Sequence, residues 1–216
     1  MCIAIFLPSY KKLDFATLKR CDAANPDGFG FAFFDDKMLR IQKYVEPQLN
    51  DMDKHINDFI SLRERFIDKP FLVHFRIATH GKITTRCCHP FKINDDMVFC
   101  HNGILRYDYG VNATSNDSDT MMFNKNILQK LDKETLNNVI KRKDKAMKQL
   151  LEGYIGGGNK MILLNREGHF CILNEDLGIW DGGIWFSNTS YKKHRYQQTK
   201  IIQPTMDDWW YGKYGW

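Results

Sequence analysis

Cysteine stands second in this chain, between Met1 and Ile3. Methionine aminopeptidases remove an initiator methionine when the next side chain is small, so Cys2 can become the first residue. A terminal cysteine carries two reactive groups: a thiol with a free pKa of about 8.5 and an α-amine that titrates near about 7.7–8.0. The amine is then close enough in pKa to serve as general base for its own thiol at neutral pH, directly or through one water. A cysteine here also fits an unreactive residue of a hydrophobic N-terminal strand. What decides between the two is whether the chain supplies the other groups that acyl transfer needs.

Acyl transfer by a thiolate needs hydrogen-bond donors fixed where negative charge develops. Asn102-Gly103 offers two kinds, a side-chain amide and a backbone N–H, although Asn-Gly at a strand end is also an ordinary tight-turn signal. An amino-acid substrate further needs a cation for its α-carboxylate and an anion for its α-ammonium. Arg76 lies inside an otherwise apolar run, where an arginine is costly unless it is paired or faces a ligand. Its alternative role is an edge-strand arginine reaching solvent. Asp119 falls in a run of capping residues, 115–120, and its alternative role is the N-cap of the following helix.

The elements that must hold these groups follow from periodicity. Residues 2–7 read as an apolar strand closed by Pro8 and Ser9, and Asp14 as the N-cap of a helix carrying Phe15, Leu18 and Cys21. Asn25-Pro26-Asp27-Gly28 is a turn before a buried strand, 28–34, and Asp35-Asp36-Lys37 turns into another at 38–45. An amphipathic helix is expected over 50–67, then a strand over 71–78 that delivers Arg76, an irregular stretch around Cys87-Cys88-His89-Pro90, and a short strand at 97–100. Residues 115–120 cap a helix bearing Phe123, Ile127, Leu128 and Leu131. One further helix is expected over 135–151, with a basic face of Lys141, Arg142, Lys143, Lys145 and Lys148, ended by Gly156-Gly157-Gly158. Strands follow at 160–165, 169–174 and 183–188. Strands, central helices, then strands again point to two sheets with helices outside, rather than a βαβ alternation.

Composition narrows the classes. With 216 residues and no linker, repeat or composition shift, one domain over 1–216 is expected. A net charge of +5 permits weak attraction to nucleic acid or acidic partners without calling for it. There is no apolar run long enough for a membrane helix and no export leader. The six cysteines lack the spacing of a secreted disulfide scaffold, so a reduced, cytoplasmic chain is expected.

In order along the chain stand Cys2, Asn25-Pro26-Asp27-Gly28-Phe29-Gly30 and His74-Phe75-Arg76-Ile77-Ala78-Thr79-His80-Gly81. Cys88-His89-Pro90-Phe91, His101-Asn102-Gly103-Ile104 and Ser118-Asp119-Thr120 follow. This series resembles the motifs of the class II glutamine amidotransferases, a family of N-terminal-nucleophile hydrolases. The resemblance implies an α+β fold, a four-layer αββα sandwich. It also implies that Cys2 attacks the glutamine side-chain amide, that Asn102 and Gly103 form the oxyanion hole, and that Arg76 holds the α-carboxylate. Thr79 and His80 would line the same end, and Asp119 would bind the α-ammonium. No metal or organic cofactor is implied for this half-reaction. The family normally delivers ammonia to a fused synthase, which this length does not hold, so a free-standing amidotransferase subunit, or one that meets its acceptor enzyme in trans, is expected. Two departures bear on substrate preference: Ile3 stands where the family usually has glycine, and Ile77 where some members have an aromatic residue.

Other readings compete. A terminal-cysteine amidohydrolase of acylase type would share nucleophile and fold, but its substrates need no paired anchors such as Arg76 and Asp119. A scaffold in which a retained Met1 blocks Cys2 would be idle. A zinc site at Cys87, Cys88, His89, Cys100 and His101 lacks the usual ligand spacing. No Lys-Ser/Thr follows the glycine triplet as a phosphate loop requires. The aromatic tail, 209–216, is expected to pack either on the domain itself or on another chain, an acceptor enzyme or a second copy.

Overall fold

The computed structural model describes residues 2–36, 38–45, 48–78, 83–105 and 117–193. Its strands are β1 (Ile3–Leu7), β2 (Gly28–Phe34), β3 (Leu39–Tyr44), β4 (Phe71–Arg76), β5 (Phe91–Asn94), β6 (Met97–Asn102), β7 (Lys160–Asn165), β8 (Phe170–Leu173), β9 (Ile179–Asp181) and β10 (Ile184–Phe186). The helices are α1 (Phe15–Ala24), α2 (Met52–Arg65), α3 (Asp119–Asn126), α4 (Lys133–Ile140) and α5 (Lys145–Ile155). Six strands form one sheet in the order β3-β2-β4-β1-β10-β9, and four form a second in the order β5-β6-β7-β8. Every pairing within them is antiparallel.

Strand periodicity builds the layers. In β1, β2 and β4, alternate residues Ile3, Ile5, Leu7, Phe29, Phe31, Phe33, Phe71, Val73 and Phe75 point one way, into a core closed by Leu18 and Cys21 of α1 and Ile56 and Phe59 of α2. The intervening Ala4, Phe6, Ala32, Phe34 and Leu72 point the other way. They meet Val98, Cys100, Ile162, Leu164 and Ile172 of the second sheet. The far face of that sheet, with Phe99, Met161 and Leu163, is covered by Phe123 of α3, Leu136 and Val139 of α4, and Leu151 and Ile155 of α5. Because both of their faces are covered, β1, β2, β4, β6 and β7 are buried along their whole length, whereas the edge strands β3 and β5 alternate. The arrangement is the αββα sandwich.

Three elements depart from the sequence reading. The helix expected over 135–151 is two helices. Arg142 takes a left-handed φ of 60°, and the Asp144 carboxylate caps a fresh helix by accepting from the Met147 N–H at 2.9 Å. The basic residues are thereby split between elements, and Lys141, Arg142 and Lys148 pair with Glu167, Glu175 and Glu152. The stretch before Met97 contains a strand, β5, whose Phe91 and Ile93 turn inward. The last expected strand is a hairpin, β9 to β10, turned through Gly182 and Gly183 at φ of 59° and 79°.

Candidate active site

The same two-residue period that builds the layers also gathers the polar groups. Cys2 has the parity of Ala4 and Phe6, and Arg76 that of Leu72 and His74, so both belong to the inner face of the six-stranded sheet. Asn102 has the parity of Val98 and Cys100 on the second sheet, and Ser187 that of Trp185. These residues sit at strand ends, where the apolar filling between the sheets stops.

Cys2 lies one step before the pair Ile3↔Phe75. Its thiol donates to the Ile77 carbonyl at 3.4 Å and receives the Ile77 N–H at the same distance. Burial pushes this thiol up, while the Ile77 N–H and the nearby Arg76 charge pull it back toward ionisation. The Cys2 carbonyl accepts from Asn188 Nδ2 at 2.7 Å. Arg76 is buried at the end of β4, paired in register with Gly28. The turn before β2 clamps the backbone around it: the Asp27 N–H donates to the Arg76 carbonyl at 2.8 Å, and Asp27 Oδ2 accepts from the Ala78 N–H at 2.7 Å.

Asn102 ends β6 opposite Lys160, longer by two residues than the expected 97–100 strand. Gly103 follows at φ 148°, and a Cβ there would stand 2.1 Å from Asn159 Oδ1. Only glycine fits over that side chain. Asn159 is itself fixed, since Nδ2 donates to the Ile155 carbonyl at 2.6 Å. Its Oδ1 must therefore accept from His101 Nε2, 2.8 Å away, so the proton of His101 is on Nε2. His101 Nδ1 then accepts from the Thr120 hydroxyl at 2.8 Å. Burial lowers the His101 pKa and keeps the ring neutral.

Ser118, rather than Asp119, is the N-cap of α3, accepting from the Met121 N–H at 3.2 Å. Asp119 is left as the first helical residue. Its Oδ2 accepts from the Leu105 N–H at 2.7 Å and its Oδ1 from the Thr120 N–H at 2.7 Å. The Asn102-Gly103 turn and Asp119 are thus tied together on one side of the site through Leu105, and on the other through Thr120, His101 and Asn159.

Thr79 and His80 lie outside the described residues, as does the tail 209–216. Asp27, Thr120 and Asn159 hold parts of the site although no role was read for them in the sequence. Ser187 and Asn188 were missed as well. In the sequence they are an ordinary polar end to the apolar run Ile184-Trp185-Phe186. A groove of about 460 Å³ lined by Phe33, Arg40, Leu62 and Phe66 lies at the β3 edge, against the outer helix α2 and away from this chemistry. Among the described residues, no group of His, Cys, Asp or Glu is arranged to hold a metal ion. No described helix is long and apolar enough to cross a membrane.

An αββα sandwich with a near-terminal thiol, an Asn-Gly turn and a buried arginine at one end defines an amidohydrolase-like arrangement. The sequence model of the "Glutamine amidotransferases class-II" matches residues 4–177. The chain belongs to that family. The match starts just after Cys2. Among solved structures, the chain is similar to the glutamine phosphoribosylpyrophosphate amidotransferase from B. subtilis complexed with ADP and GMP, at 14% identity and a TM-score of 0.42. That comparison covers 86% of this chain and 41% of the other, so this chain spans less than half the length of that protein. No curated protein sequence matches.

Proposed function

We propose that this protein hydrolyses the side-chain amide of glutamine through a thioester on Cys2, and that the ammonia passes to an acceptor on a partner enzyme. The observation that carries the reading is the convergence of the Cys2 thiol, Arg76 and the Asn102 amide at one end of the space between the sheets, in a chain of this family. After removal of Met1, the Cys2 amine accepts the thiol proton. The thiolate attacks the amide carbon, and the negative charge gathering on oxygen is met by Asn102 Nδ2 and the Gly103 N–H. The amine returns the proton to the leaving nitrogen, ammonia departs, and a γ-glutamyl thioester remains. Water, deprotonated by the same amine, releases glutamate and restores the thiol.

Arg76 and Asp119 bind the α-carboxylate and the α-ammonium, with Thr79 and His80 lining the same end. This pairing selects an amino-acid substrate over the simple amides of an acylase. Burial raises the pKa of the thiol, and the Ile77 N–H and the Arg76 charge oppose that rise. The whole chain acts as one glutaminase unit without metal or organic cofactor. The aromatic tail, 209–216, is the segment offered to the acceptor enzyme or a second copy.

The test is acid quench of the enzyme during turnover of glutamine, followed by denaturing mass spectrometry. The reading expects a γ-glutamyl adduct on the N-terminal peptide of protein that has lost Met1. Turnover with the adduct on another cysteine, or by protein retaining Met1, would overturn it.

A further inference from the structure

Ser187 stands directly after β10 and is completely buried between the sheets. Its Oγ accepts from the Ala4 N–H at 2.9 Å, and lies 2.7 Å from Asn102 Nδ2. Asn102 Oδ1 is buried and has no partner among the described residues. A hydroxyl has one proton and two lone pairs, and the two ends of a side-chain amide are told apart only by the bonds they make. If Nδ2 faces Oγ, both lone pairs are taken by donors. Oδ1 is then stranded, along with a hydroxyl proton for which no described acceptor is present. With the amide turned over, Oγ accepts from Ala4 and donates its proton to Oδ1. Every group around Ser187 is then satisfied, and the Asn102 NH₂ takes the unpartnered place.

We propose that Ser187 is a positioning residue for the oxyanion hole, holding the Asn102 amide by its oxygen so that its NH₂ faces the reacting carbonyl. The inference rests on the role proposed above for Asn102. Its chemical consequence is specific. An oxyanion can accept from the NH₂, whereas the opposite orientation would set a carbonyl dipole against developing negative charge. The Ala4 N–H matters as much as the hydroxyl. By filling one lone pair from the neighbouring strand, it leaves Oγ free to act as donor toward Asn102. The first strand therefore sets the polarity of a side chain on the opposite sheet.

The test is a cycle of Ser187→Ala, Asn102→Ala and the double variant, with kcat and KM for glutamine measured on each, and Ser187→Thr as the hydroxyl-retaining control. Ser187→Ala is expected to lower kcat by roughly tenfold or more with KM little changed, because the loss falls on the transition state. In the Asn102→Ala background the same substitution should cost nothing further, since its effect is exerted through that amide. Ser187→Thr should recover most of kcat. A merely structural serine would give losses that add in the double variant, and this result, or full kcat in Ser187→Ala beside an impaired Asn102→Ala, overturns the inference alone. Full kcat in Asn102→Ala would overturn the inference together with the reading of the site. Should Ser187→Ala not fold, Ser187→Thr and Ser187→Gly carry the same comparison, with kcat following the hydroxyl in support and independent of it in refutation.

Discussion

Asn188 Nδ2 donates to the Cys2 carbonyl at 2.7 Å, joining residues 186 positions apart in sequence. The direction of this bond is fixed from the other end, because Asn188 Oδ1 already accepts from the Ser190 N–H at 3.0 Å and the Ser190 hydroxyl at 2.7 Å. The residue proposed as nucleophile is thus held by its carbonyl from Asn188 and by its thiol from the Ile77 backbone.

Replacing Asn188 tests that anchor. Asn188→Ala should lower kcat by roughly tenfold and cost about 1 kcal/mol of stability for the lost hydrogen bond. Asn188→Asp sets an acceptor against the Cys2 carbonyl and should be worse than alanine in both respects. Steady-state kinetics beside urea unfolding check this, and an aspartate variant equal to wild type would remove the anchor from the account.

Gly103 tolerates no side chain. In Gly103→Ala the new Cβ meets Asn159 Oδ1, which is held by His101 and cannot yield without breaking that bond. The left-handed φ adds strain of about 1–3 kcal/mol. Both stability and kcat should fall, and rescue by Asn159→Gly should return stability more fully than rate. Thermal unfolding of the single and double variants decides it, and an unperturbed Gly103→Ala would contradict the described turn.

Arg76 and Asp119 should separate by substrate. Arg76→Gln and Asp119→Asn are each expected to raise KM for glutamine by roughly tenfold or more while moving kcat less, as loss of uniform binding does. Against an analogue lacking the α-carboxylate, Arg76→Gln should have little further effect, whereas Asp119→Asn should keep its penalty. Equal losses on both substrates would assign Arg76 to the fold instead.

The buried histidines predict acid sensitivity. His74 is pushed down to about 3 by burial, and His89 and His101 are also driven below the usual histidine range by burial. Unfolding exposes the rings, which take up protons below about pH 6.5. Below that pH the unfolded chain binds more protons than the folded one, so stability falls as pH drops from about 6.5 toward the folded values. The slope approaches ~1.4 kcal/mol per pH unit for each ring. Both His89 ring nitrogens lack partners, so His89→Phe should make the acid slope shallower without adding an orphan group. Urea midpoints from pH 7 to pH 5 test this, and an unchanged slope would refute it.

Much of this was readable from the chain alone. Phe29, Phe31 and Phe33 against Gly30 and Ala32 state which face of β2 meets helices and which meets the other sheet. Two of the site candidates stood out because Arg76, read as a substrate anchor, is anomalous in an apolar run and Asn102-Gly103 ends one. What was not readable depends on distant partners. Asp14 announces its helix by capping it locally, whereas the break at Arg142 hides among good helix formers and shows only through the Asp144 cap. β5 was obscured because only Phe91 and Ile93 of its four residues face inward. Asp119 reads in the sequence either as a substrate anchor or as a helix cap, and the cap at Ser118 leaves its carboxylate to the Leu105 and Thr120 N–H groups. Ser187 and Asn188 gain meaning only when β10 pairs beside β1, with Phe186 opposite Ile5.

The most direct measurement is glutamate release from glutamine by purified protein lacking Met1, set beside Cys2→Ala verified as folded. The account predicts release by the native chain and none by the variant. Release by Cys2→Ala at the native rate would contradict its central claim that the Cys2 thiol performs the chemistry.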